Sequence, residues 1–212
     1  MFKKDRLKRR ILMTILGVTV CGFSVGFFTH AMLGLDPFQV FAHGVWSLTP
    51  IDFGTFYVIL NAVMLLIIFF WNRSKIGLGT VINLFGVGYM AEFTEWLLNK
   101  YNPDPSLPVR FGSLAVGVVV MCFASAFYFT ADLGVSTYDA IAITISERHP
   151  KLQFRFIRIT TDLICVITGW ALGANVGIGT IITAFFMGPL IAFFNKTAAE
   201  PVLNRPYKNK GE

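Results

Sequence analysis

Read as apolar and polar positions, the chain is six long apolar runs parted by short polar breaks. The runs lie near residues 11–32, 53–71, 77–97, 111–131, 154–173 and 177–195. A helix needs about 20 mainly apolar residues to cross the hydrocarbon core, and each run is of that order. The pattern predicts an all-α polytopic membrane protein with six transmembrane helices. Two further stretches, 37–48 and 137–147, are apolar but short. Twelve helical residues rise only about 18 Å, too little to cross. Each is either an interfacial helix, the first anchored by Trp46, or a re-entrant half-helix whose N terminus faces the interior. Both readings stand.

The polar breaks that precede the short stretches are copies of each other. Leu33-Gly34-Leu35-Asp36-Pro37-Phe38 recurs one hundred residues later as Leu133-Gly134-Val135-Ser136-Thr137-Tyr138. Asp36 is a candidate N-cap with Pro37 at the first helical position, where a missing N–H costs nothing. Ser136 with Asp139 approximates a capping box. The same offset carries Gly17 and Val18 onto Gly117 and Val118, and Gly77-Leu78-Gly79-Thr80 onto Gly177-Ile178-Gly179-Thr180. The chain therefore divides into a basic N terminus (1–10), a three-span repeat (11–98), a Pro-rich linker (99–110), a second three-span repeat (111–195) and a tail (196–212). From Thr197 the tail reads as polar and disordered. An odd number of spans per half turns the second copy over, so a 3+3 inverted repeat is expected. Such repeats are typical of secondary transporters, with sites near the midplane between the halves.

Composition agrees with the pattern. The chain of 212 residues is 55% hydrophobic and 14% charged, against about 25% charged in a soluble domain. Its net charge of +6 does not point to nucleic acid, because the basic residues sit at alternate span ends. Lys3, Lys4, Arg6, Lys8, Arg9 and Arg10 precede the first run, and Arg73 and Lys75 follow the second. Arg148 and Lys151 precede the fifth, and Lys196, Arg205, Lys208 and Lys210 follow the sixth, whereas the other connections hold only Lys100 and Arg110. The positive-inside rule then places both termini in the cytoplasm of a bacterial plasma membrane. Cys21, Cys122 and Cys165 all fall inside runs, without metal spacing; they read as packing residues, and no cofactor or metal is expected.

Candidate chemistry is sparse. Asn61 in the second span and Asp162 in the fifth each lie about eight residues, or roughly 12 Å, from the span start. An ionisable group at that depth is a functional candidate. Arg158 precedes Asp162 by one helical turn, so the two can pair. Asp36, Ser136 and Asp139 stand at the starts of the short stretches, and their helix dipoles would favour an anionic or polar group. His43 on the first short stretch and Glu92 in the third span complete the candidates. His30 reads as interfacial or satisfied by a carbonyl, and Gly22 with Gly26 as a helix-packing face.

With Gly34-Leu35-Asp36-Pro37-Phe38, an Asn-bearing span and a Gly-x-Gly-Thr helix start, the sequence resembles the YczE/YyaS/YitT family of bacterial membrane proteins, in particular its YczE branch. The resemblance covers most of residues 11–195. It implies a transport role without a defined substrate or site residues. The second copy departs from the pattern by having Thr137 where the first has Pro37.

The expected function is secondary transport of a small polar or anionic solute by alternating access, with homo-oligomerisation open. The alternative is a membrane accessory or assembly protein without transport activity. No paired carboxylates, HExxH or Ser/His arrangement suggests an enzyme.

Overall fold

A computed structural model describes residues 2–149 and 154–204. Lys151 and the tail residues Arg205, Lys208 and Lys210 lie outside the described residues. The chain is helical, and no strand occurs among the described residues. In order, the helices are α1 (Phe2–Ala31), α2 (Pro37–Trp46), α3 (Phe53–Asn72), α4 (Leu78–Tyr101), α5 (Leu107–Ala131), α6 (Thr137–Arg148), α7 (Phe154–Ala171), α8 (Ile178–Phe194) and α9 (Glu200–Asn204). A 3₁₀ turn, Arg73–Lys75, follows α3, and a π-helical turn, Asn195–Ala199, joins α8 to α9.

Among the described residues, four helical stretches are long and apolar enough to cross a membrane: Arg6–Ala31, Phe53–Lys75, Leu107–Ala131 and Ile178–Asn204. They correspond to the first, second, fourth and sixth apolar runs. The other two long helices carry more charge, with Glu92, Glu95 and Lys100 on α4 and Arg155, Arg158 and Asp162 on α7. Large apolar side chains face outward, among them Phe70 (84% exposed), Trp170 (68%) and Phe185 (68%). A soluble surface rarely shows so many. Lipid-facing helices are expected to. The molecule is a multi-pass membrane protein.

α1 and α5 pack side by side at the centre and run antiparallel, and arginines at their starts define the pairing. Arg10 donates from Nε to the Ala131 carbonyl (2.5 Å), and its Nη2 reaches both the carbonyl and the carboxylate of Asp132. Arg110, one hundred residues on, donates to the carbonyls of Ala31 (2.8 Å) and Met32 (2.7 Å). Each helix thus has its orphaned C-terminal carbonyls capped by a cation from the start of the other, a placement that the helix dipole favours. Met32 and Asp132, both at positive φ (52° and 48°), occupy the left-handed stop position. Between them, Cys21 Sγ touches Met121 Sδ at 3.1 Å. On its other side α1 presents Gly22 and Gly26 to Val87, Met90, Ala91 and Thr94 of α4, as its spacing predicts.

The Gly-rich repeats also join in trans. The Gly79 N–H donates to the Leu133 carbonyl and the Gly179 N–H to the Leu33 carbonyl, both at 2.7 Å. Gly34 and Gly134 have φ of +107° and +114°, conformations that other residues adopt only under strain. A Cβ at Gly34 would meet the Gly177 nitrogen at 2.6 Å, and one at Gly134 the Gly77 nitrogen at 2.7 Å.

The short helices are inside. Pro37, Phe38, Gln39, Val40, Ala42 and Gly44 of α2 are buried, as are Thr137, Tyr138, Ala140, Ala142 and Thr144 of α6. α2 lies against α7 and α3, while α6 lies against α3 and α7. Both short helices are thus packed among the long ones rather than laid along the outside of the molecule.

The tail corrects one expectation. Residues 197–204 are not disordered: the helix continues through the π turn into α9. Ala199 is fully buried beside Val202 and Leu203. Arg9 donates to the carbonyls of Val202 (3.2 Å) and Leu203 (3.1 Å), so the last turn is both packed and capped. The first helix likewise starts at Phe2, so the basic N terminus is its opening turns.

Candidate functional site

α2 and α6 start beside each other. Asp36 is the α2 N-cap and accepts the Gln39 N–H (3.3 Å), with Pro37 at the first helical position. Ser136 is the α6 N-cap: its hydroxyl accepts the Asp139 N–H (3.1 Å) and donates to Asp139 Oδ2 (2.7 Å). Both caps form as the residue types require. Phe38 and Tyr138, the second helical residue of each, stack with ring centroids 4.9 Å apart.

The charged residues gather around Tyr138. Arg158, from α7, forms an ion pair with Asp139, and its Nε lies 3.3 Å from Asp162 Oδ1. Its guanidinium stands over the Tyr138 ring at 4.4 Å. The Tyr138 hydroxyl donates to Asp162 Oδ1 at 2.5 Å, and Cys165 Sγ lies 3.8 Å from that hydroxyl. The Asp139 and Asp162 side chains are 17% and 15% exposed, so this is a largely desolvated network in which each carboxylate has a cation and a donor. Asp36 lies within electrostatic range of Arg158 and Asp162.

Asn61 is 1% exposed on α3. Its Nδ2 donates to the Tyr57 carbonyl (2.8 Å), and its Oδ1 accepts the Thr137 hydroxyl (2.6 Å). It therefore joins Asp162 through α6, by way of Thr137 and Tyr138, rather than by direct contact. The structure thus gathers Asn61, Ser136, Asp139, Arg158 and Asp162 around the α6 start, with Asp36 at the neighbouring α2 start.

Two candidates lie elsewhere. His43, at the far end of α2, stacks on Phe53 (4.2 Å between centroids) and meets Trp46 edge-on. Glu92 accepts the Gly54 N–H (3.1 Å) and so caps α3. It borders an open cleft with Asp52, Thr55, Tyr89 and Trp96. There Asp52 is held below the usual carboxylate range by its hydrogen bonds with Thr55. His30 is satisfied by the Asn102 carbonyl (2.9 Å) and Ser113.

Tyr138, Thr137, Gln39 and Tyr57 escaped the sequence reading. A signal existed for Tyr138: it is the repeat mate of Phe38, with a hydroxyl added. Arg10 and Arg110 carried the same offset. Among the described residues no group of three His, Cys, Asp or Glu side chains is arranged to hold a metal ion.

The family model for a family of unknown function, DUF6198, matches residues 8–196. This chain belongs to that family. The family's region thus takes in every residue of the Tyr138 network. The chain is similar to the uncharacterized membrane protein YczE of Bacillus subtilis, with 24% identity over 194 residues, 90% of this chain and 87% of that protein. An uncharacterized protein of Haemophilus influenzae is 24% identical over 188 residues, 88% of this chain and 83% of that one. The YczE likeness that the Gly motifs suggested is therefore sound. No solved structure matches the chain.

Proposed function

We propose that this protein is a secondary transporter of the bacterial plasma membrane, built as a 3+3 inverted repeat with α4 and α7 as the third and fifth spans. Both termini are cytoplasmic in this reading. The observation that carries it is that residues one hundred apart meet each other. Cys21 touches Met121, and Phe38 stacks on Tyr138. Two equivalent residues touch only where they straddle the rotation axis that relates their copies. An axis through antiparallel α1 and α5 lies in the membrane plane, the symmetry of inverted-repeat transporters. The charged network sits beside that axis.

The solute or coupling site in this reading is formed by Asp36, Asp139, Arg158 and Asp162, with Asn61 and Ser136 holding the α6 start. Its charge favours a cation or a polar solute over an anion. Both helix N termini already face the protein's own carboxylates, Asp36 and Asp139. Three carboxylates then stand against one guanidinium. His43 and Glu92 are not part of the site.

Counterflow in proteoliposomes, run over a panel of small amines, amino acids and polyols, tests the reading. Exchange by the wild-type protein that Asp162→Asn lowers at equal reconstitution supports it. Absence of exchange across the panel returns the protein to the accessory class.

A further inference from the structure

The two short helices are alike in backbone and unlike in charge balance. At the α6 start the acid is Asp139, and Arg158 neutralises it. At the α2 start the acid is Asp36, and the repeat mate of Arg158 is Val58. Asp36 has no ion-pair partner among the described residues, and its carboxylate accepts the capping N–H of Gln39. Asp36 as a residue is of intermediate exposure.

One turn into α2, Gln39 is 3% exposed and its Oε1 accepts nothing. The Gln39 side chain lies beside the Tyr57 hydroxyl, which is within electrostatic range of Asp36. A second buried oxygen without a partner, the Tyr128 hydroxyl, lies within range of Tyr57. A buried acceptor without a donor costs about 1–3 kcal/mol and calls for an occupant. Gln39 Oε1 has only lone pairs to offer, so the occupant brings positive charge or a donor.

Charge sets the valence. Arg158 offsets one of the three carboxylates, and two helix N termini at about half a charge each offset a second. One negative charge remains. A divalent ion would overshoot it, and three acidic ligands are not gathered. A proton on Asp36 would cancel the charge yet leave Gln39 Oε1 and the Tyr128 hydroxyl unmatched. A hard cation takes several oxygens at once, from carboxylate, amide and hydroxyl.

We propose that Asp36 and Gln39 Oε1, lined by the Tyr57 and Tyr128 hydroxyls, bind a small inorganic monovalent cation of sodium's size. Its role as coupling ion rests on the transport reading above; its binding does not.

Thermal unfolding of the purified full chain in detergent tests binding, with sodium, potassium, methylammonium and choline chlorides compared at fixed ionic strength. Sodium raises the unfolding temperature with saturation, and choline does not, because an ion that binds only the folded state stabilises it. Asp36→Asn keeps a good N-cap and therefore folds, and it abolishes the saturable rise. Gln39→Leu weakens apparent sodium affinity at least tenfold. No saturable rise with sodium, or a rise unchanged in either variant, overturns the site. So does saturation by methylammonium without sodium, which assigns the place to an organic ammonium. Sodium binding by a protein that moves no solute removes the transport reading and leaves the ion site standing.

Discussion

Phe38 and Tyr138 stack with centroids 4.9 Å apart and planes 19° from parallel. They are the same position in two copies of one motif, and the hydroxyl that only the second carries holds Asp162. A symmetric scaffold is thus made asymmetric at its centre by one oxygen atom. Substitutions at equivalent positions continue the trend: Arg158 stands against Val58, and Asp162 against Ala62. Duplication supplies the frame, and divergence on one side supplies the charges.

The proposed cytoplasmic placement of both termini, argued from the placement of the basic residues, is tested by two reporters on opposite sides of the membrane. An accessibility reporter at Pro105 registers outside, and one at His149 inside. Cysteine substitution with a membrane-impermeant thiol reagent reads both sites, once Cys21, Cys122 and Cys165 have been replaced. Labelling of position 149 from outside would remove the inverted repeat.

The caps at Asp36 and Ser136 and the pairing of Arg158 with Asp162 were legible because each rests on local residue type or on counting along a helix. The partners that those residues find on other helices were not. Arg158 was expected beside Asp162, one turn away, and it is, but its closer carboxylate is Asp139 on a different helix. No periodicity encodes which helix a side chain crosses to. Likewise Glu92 reads as a site candidate in the third span, yet its carboxylate caps the α3 N terminus, a use visible only when Gly54 is placed against it. The order of the tail from Thr197 is hidden for the same reason: nothing in its sequence shows that Arg9 will cap the carbonyls of Val202 and Leu203.

Gly34 and Gly134 are predicted to be hard to replace, because positive φ and close backbone coincide there. Alanine at either position takes about 1–3 kcal/mol of backbone strain and also drives a Cβ into backbone within 2.7 Å. Both variants should lower the unfolding temperature by several degrees, and the two losses should be similar. Gly112→Ala is the control, since nothing lies within 4 Å of its Cβ position.

Arg110→Ala leaves the carbonyls of Ala31 and Met32 uncapped and should cost about 1–3 kcal/mol, the range for hydrogen bonds from a charged donor. Arg110→Lys should recover only part, because a single ammonium cannot present the fork that reaches both carbonyls. Chemical unfolding in mixed micelles measures both. Full recovery by lysine would mean that charge near the helix end, not the fork, does the capping.

At the surface, Lys75 and Asn72 hydrogen-bond Glu147 and hold its carboxyl below the usual glutamate range. A depressed folded value means that the stabilisation is present above the unfolded pKa, about 4.3, and fades as pH falls through the folded one. Glu147→Gln should therefore lose a small increment of stability at pH 7 and show a flatter acid limb. Stability-versus-pH curves of the two proteins, superimposed at pH 3, check the sign.

Asp162→Asn separates function from packing. Asparagine is nearly isosteric, and its Oδ1 can still accept the Tyr138 hydroxyl. Arg158 keeps its ion pair with Asp139, so no buried cation is stranded. The variant is expected to express and unfold much like the wild type. What it loses is the ability to exchange charge: its amide can neither take up a proton nor match a cation, and Arg158 no longer has two carboxylates to choose between. If the network works in transport, flux in proteoliposomes falls at least tenfold at equal reconstitution. Tyr138→Phe, which keeps the charge but removes the hydroxyl that orients it, should fall between the two. Normal flux for Asp162→Asn would make the residue a packing group and move the working site to Asp36.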